Sequence, residues 1–109
     1  MSKPSNDKVE LHPLVGIDPV IHAPARLMTM TYLYVVESTD FIFLMRMTGL
    51  TWGSLSTHLS KLESAGYVHI EKTFKGKKPH TVIRLTDQGR KAFRAYKTNL
   101  KQVLDDLPD

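Results

Sequence analysis

Residues 50–85 read LTWGSLSTHLSKLESAGYVHIEKTFKGKKPHTVIRL, and within them the apolar period changes. Leu55, Leu59 and Leu62 recur at the spacing of one helix face, with Trp52 near the same side. Thr51 stands where an N-cap belongs, and Gly66 where a helix stops. The spacing predicts a helix over 52–65. Residues 67–73 then alternate and are rich in β-formers. Residues 74–79 form a lysine-rich turn around Gly76, and 80–85 return as a second strand. Val82 and Ile83 are adjacent apolar residues, so alternation does not decide which of them faces inward.

Upstream, Ser38-Thr39-Asp40 is a cluster of N-cap residues. It precedes the apolar run 41–47, which Thr48-Gly49 would end as a short helix. Helix, Thr-Gly turn and helix make a helix-turn-helix. From Ala23 a nearly all-round apolar stretch predicts a helix buried on more than one side, with Pro24 in its first turn. Residues 1–22 read as an N-terminal arm: 1–12 are polar, and the stretch 11–24, LHPLVGIDPVIHAP, holds three prolines and a glycine. Downstream, Thr86-Asp87 caps a helix of about twenty residues. Ala92, Phe93, Tyr96, Leu100, Val103, Leu104 and Leu107 step along it at three and four. A small domain cannot easily cover so long an apolar face. The stripe Tyr96, Leu100, Val103, Leu104 and Leu107, with Leu27 and Met28 from the apolar helix, is therefore expected to meet a second copy.

The 109 residues fit one domain, with residues 23–109 forming the folded unit. Net charge is +4, but it is unevenly spread. Residues 51–101 hold eleven basic and three acidic side chains, and the remainder four basic and eight acidic. So basic a segment suits a polyanionic partner, or else a solvated lysine-rich surface. With no cysteine, disulfides and thiol chemistry are excluded. The five histidines form no HxxxH or HxH pair, carboxylates are scattered, and no nucleophile has a nearby base. Neither a metal nor another cofactor is expected, and neither is catalysis. No apolar run approaches the ~20 residues of a membrane span, and no signal peptide is evident, so the expectation is a cytoplasmic protein.

The helix over 52–65 suits the major groove of duplex DNA. At 100° per residue, Ser54, Thr57 and Lys61 fall opposite the leucines, with Gly53, His58 and Ser60 on the flanks. Short hydroxyls permit close approach but read bases weakly, and the face lacks Arg, Asn and Gln, which make the strongest bidentate base contacts. The helix N-terminus at Thr51, Trp52 and Gly53 favours a phosphate. Lys75, Lys77 and Lys78 crowd one hairpin tip; a polyanion relieves their repulsion, although lysines also guard exposed strands against aggregation.

The runs LSTHLSKLESAGYV, FKGKKPHT and RLTDQGRKAF, followed by a long closing helix, resemble winged helix-turn-helix transcriptional regulators of the MarR and ArsR groups. The resemblance covers about 25–107. It implies an α+β fold, with a helical core, an antiparallel β-hairpin wing and a long C-terminal helix over about 87–107. It further implies a homodimer that places the helix matching 52–65 in the major groove and the hairpin matching 74–79 on the backbone or minor groove. The ArsR-type cysteine metal motif is absent. Two other functions are compatible with the residues: an adaptor whose wing docks on an acidic protein, and a ligand-gated regulator with Tyr32, Tyr34 and the methionines lining a pocket.

Overall fold

A computed structural model of the protein describes residues 16–109. In chain order they form α1 (Pro24–Val36), β1 (Ser38–Asp40), α2 (Phe41–Thr48), α3 (Trp52–Ser64), β2 (Val68–Lys75), β3 (Lys78–Leu85) and α4 (Asp87–Asp105). The strands make one antiparallel sheet in the order β1-β3-β2. This is the α+β winged-helix architecture expected from the chain. Among the described residues no helix is long and apolar enough to cross a membrane.

Of the expected arm over 1–22, residues 1–15 lie outside the described residues, and residues 16–22 pack against the rest of the chain. Ile17 and Ile21 are buried in the core, Ile21 completely. Asp18 shapes this segment: its Oδ1 accepts from the backbone N–H of Val20 at 2.8 Å, as aspartate does in turns. The Tyr67 hydroxyl donates to the other carboxylate oxygen of Asp18. The segment is irregular, but it belongs to the folded unit.

In α1, Thr29, Met30 and Leu33 are buried, and the Thr29 hydroxyl is satisfied by the Ala25 carbonyl at 2.8 Å. The helix is not buried all round, since Val35 and Val36 are exposed. Glu37 ends it with φ +68° and ψ −42°, a conformation that side chains rarely adopt. Its N–H donates to the Leu33 carbonyl at 2.8 Å, and its own carbonyl accepts from Leu85 N–H at 2.9 Å. The bend delivers the chain directly into β1.

Ser38-Thr39-Asp40 does more than cap. Asp40 does accept from Phe43 N–H at 2.7 Å, starting α2. The same three residues also pair with Arg84, Ile83 and Val82 of β3. Three residues are too few to show alternation, and Ser and Asp are poor β-formers, so this strand leaves no pattern in the sequence.

Gly49, at φ +71°, ends α2. The Thr51 hydroxyl accepts from Ser54 N–H at 3.2 Å and opens α3, a cap worth about 1 kcal/mol. Leu55, Leu59 and Leu62 anchor α3 in the core. Each contributes roughly 1.5–3 kcal/mol by burial.

The hairpin is tighter than the turn expected over 74–79. Phe74 pairs with Pro79 and Lys75 with Lys78, leaving Gly76 and Lys77 as the two loop residues. Gly76 has φ +66° while Lys77 does not have positive φ, the pattern of a type II′ turn. Register also decides the inward side. Ile83 is fully buried opposite Ile70, and Val82 lies on the other face opposite Glu71.

A set of bonds around Thr86 joins α3 to α4. The Thr86 hydroxyl donates to the Gly66 carbonyl at 2.6 Å and accepts from Gly89 N–H at 2.9 Å. Its backbone N–H donates to the Tyr67 carbonyl at 3.0 Å. Along α4, Phe93 and Tyr96 are buried, Leu100 and Val103 are half-buried against the core, and Leu104 is exposed. Tyr96 is only 3% exposed and lies 2.9 Å from His22 Nδ1 through its hydroxyl. Its expected place in a contact with a second copy is therefore corrected: the irregular segment before α1, invisible as packing in the sequence, covers it within the chain. Burial also pushes the Tyr96 hydroxyl pKa upward.

Candidate nucleic-acid interface

The outward side of α3 is set by its three buried leucines. Opposite them lie Gly53, Thr57, Ser60 and Ser64, all exposed, with Lys61 and Ser56 exposed to either side. Thr57 and Lys61 thus stand where the sequence places them. Ser54 does not: it is half-buried on a flank. The point opposite the three leucines falls between Thr57 and Ser64, well away from Ser54. Trp52 is in fact 61% exposed and rests against Phe41, with ring centroids 4.3 Å apart. The leucine spacing alone puts Ser64 and Thr57 at the centre of the outward side, with Gly53 and Ser60 next to them.

His58 is half-buried on the other flank. Its Nδ1 lies 3.2 Å from an Arg26 guanidinium nitrogen. Burial lowers the His58 pKa from its ordinary value, and the positive charges of Arg26 and Lys61 lower it further. Neutral His58 accepts from Arg26 at Nδ1, which leaves the ring proton on Nε2. Arg26 also donates through Nε to the Val20 carbonyl at 2.5 Å, tying the segment before α1 to α3. Sequence reasoning missed Arg26, which lies thirty-two positions from His58 and follows no periodic pattern.

The start of α3 is open. Thr51, Trp52 and Gly53 are exposed, and a side chain added at Gly53 would meet nothing within 4 Å. A phosphate oxygen could approach the free N–H groups there without obstruction.

Lys75, Lys77 and Lys78 are all exposed on the hairpin. Among the described residues the ion pair formed is Lys101–Asp105, so none of these three has a carboxylate partner. Alternation along β2 sends Lys75 to the outer face with Lys78, and Lys72 to the inner face with Thr81. A groove of about 320 Å³ separates α3 from this inner face. Ser56, Ser60 and Glu63 line one side, and Ile70, Lys72 and Thr81 the other. A second cleft, of about 490 Å³, borders Ser60, Lys61 and Ser64 on the opposite flank, with Arg26 and Val20 across it. Among the described residues no three His, Asp or Glu side chains gather as a metal ion would require.

An exposed hydroxyl-bearing helix beside a cationic two-stranded hairpin is the arrangement that the family comparison matches: residues 25–104 fit the model of the winged helix DNA-binding domain. The chain belongs to that family. An uncharacterized protein of Methanocaldococcus jannaschii is 32% identical to this winged helix chain over 84 residues, spanning 77% of it and 91% of the relative. The structure of a transcriptional regulator homologue from Pyrococcus horikoshii superposes with a TM-score of 0.80 at 30% identity, covering 91% of this chain and 99% of that one. A MarR-family regulator from Silicibacter pomeroyi shares the fold, with a TM-score of 0.61 at 18% identity over 93% of this chain and 63% of its own. The protein is a winged helix-turn-helix protein with a MarR-like fold.

Proposed function

We propose that the protein regulates transcription as a homodimer that binds double-stranded DNA with sequence preference. The observation that carries the reading is the outward side of α3, where Gly53, Thr57, Ser60 and Ser64 are exposed beside lysines that pair with no carboxylate among the described residues. Thr57, Ser60 and Lys61 would meet base edges in the major groove, and His58 would offer its Nε2–H. Ser54, half-buried, would act at the helix start with Thr51, Trp52 and Gly53, near a phosphate. Lys75, Lys77 and Lys78 would hold the flanking backbone. Hydroxyls give weak direct readout, so groove shape and phosphate contacts would supply much of the affinity.

The dimer reading rests on α4. Leu104 and Leu107 are exposed, continuing the half-buried Leu100 and Val103 toward the chain end. Leu27 and Met28 of α1 are half-buried, which leaves part of each for a second copy. Paired copies would set two α3 helices about one DNA turn, roughly 34 Å, apart.

Duplexes selected from a random pool and titrated with protein across a range of salt test the function, with sedimentation of the free protein testing the dimer. A steep fall of affinity with salt, together with a selected sequence of two-fold symmetry, is the expected result. Equal binding to all duplexes would remove sequence preference. Absence of duplex binding would leave the adaptor role instead.

A further inference from the structure

Phe74 is 70% exposed, and no other ring packs against it among the described residues. Trp52, the other strongly exposed aromatic residue, at least rests on Phe41. The hairpin register places Phe74 directly opposite Pro79. Strand alternation puts this pair on the same face as Val68 and Ile70, which turn toward the core, and Lys72, which lines the groove beside α3. Beyond that groove the face continues outward to Phe74, so the ring stands on the side of the hairpin that α3 occupies.

Its surroundings are cationic. Lys72 shares its face of the hairpin, Lys77 stands in the adjoining turn, and Lys75 and Lys78 project from the opposite face beside it, with Glu71 as the hairpin's one acid. A surface for docking an apolar protein face would need neighbouring apolar side chains. Here one ring and one proline project from among ammonium groups. That combination suits a polyanion with a narrow apolar interior between its charged walls.

The minor groove of duplex DNA is such a place. It is roughly 6 Å wide, its walls are sugar rings, and phosphates line both rims. Paired strands are about 4.8 Å apart before side chains are added, so a hairpin cannot enter whole. One projecting side chain can, and apolar wedges at base steps are a known way to open the stack. Resting on the DNA-binding reading above, we infer that Phe74, braced by Pro79, is an apolar wedge that enters the minor groove beside the segment α3 occupies, while the surrounding lysines hold its phosphate rims. The wedge favours sites with an easily unstacked pyrimidine–purine step at that position, and so adds sequence preference without a base hydrogen bond.

The test compares wild type, Phe74→Ala, Phe74→Leu and Lys77→Ala on a duplex selected by the wild type, with 2-aminopurine placed at steps flanking the selected core. Because Phe74 is mostly exposed, both Phe74 variants should melt like the wild type. Phe74→Ala should bind about tenfold more weakly with an unchanged salt dependence, and should lose the fluorescence rise that reports unstacking. Phe74→Leu should retain most of both. Lys77→Ala should show the opposite pattern, a reduced salt dependence with the fluorescence rise retained. Wild-type affinity and fluorescence in Phe74→Ala would overturn the wedge and leave DNA binding standing. So would an unchanged DNA response accompanied by lost adhesion to phosphatidylserine vesicles, which would make the tip a membrane element. A wild type that binds no duplex would overturn the DNA-binding reading itself, and the wedge with it.

Discussion

A methyl group on Gly89 would stand 2.1 Å from the carbonyl oxygen of Tyr67. The first turn of α4 and the entry to β2 therefore lie closer together than any side chain permits. The Leu85 side chain closes the same space, at 2.9 Å. Gly89 is needed here for its size, since its φ is not positive.

Gly89→Ala should destabilise the fold by about 3 kcal/mol, because the clash is with backbone and cannot be relieved by turning a side chain. Urea unfolding measures it. A loss below about 1 kcal/mol would mean that α4 can shift away from β2 at little cost.

Glu37→Gly should act in the other direction. Glu37 holds φ +68° at an exposed position. Glycine relieves that strain and surrenders some entropy on folding, for a net gain of about 1 kcal/mol. Thermal melting of the two proteins tests it, and an unchanged or lower midpoint would show that the glutamate side chain contributes more than the bend costs.

Lys77→Ala should weaken binding to every duplex and reduce the salt slope by about 0.9 for each hairpin engaged, or about 1.8 for a dimer. The slope is read from titrations at several salt concentrations. No change in it would remove Lys77 from the phosphate contacts.

Thr57→Ala should alter the ranking of sites more than the overall affinity, since Thr57 is exposed at the centre of the outward side of α3. Repeating the selection with the variant checks this. A uniform loss across sites would make Thr57 a positioning residue only.

His58 predicts an acid-side loss of stability. Its folded pKa lies below the ordinary 6.5. The unfolded chain therefore takes up a proton first as pH falls, and stability that is complete above about 6.5 declines as pH drops toward the lower folded value. In His58→Gln that component should vanish, flattening the urea midpoint between about pH 7.5 and 5.5. Parallel profiles for the two proteins would show that Arg26 and burial leave this histidine unperturbed.

Periodicity made most of the fold legible. The leucines of α3, the caps at Asp40, Thr51 and Thr86, and the stops at Gly49 and Gly66 are local chemistry, and each appears where the residues place it. Features made by distant partners were not legible. β1 exists because β3 lies beside it, and its three residues carry no strand pattern. Tyr96 looked like an interface residue because the helix wheel records which side is apolar but not what covers it. The cover is His22 and the segment before α1, over seventy positions away in the chain. The outward side of α3 was legible, but its centre, which the three leucines alone put between Thr57 and Ser64, was placed too far toward Ser54.

The hydroxyl of Thr86 touches the last residue of one helix's stop and the first turn of the next. Through that clasp the stop of α3 is tied directly to the first turn of α4. If two copies join along α4 and bind the double helix through α3, the spacing and phase of the two α3 helices would depend in part on a threonine placed to touch neither DNA nor partner. Evolution could then retune which target spacings are tolerated by loosening this clasp, while leaving every base-contacting residue in place.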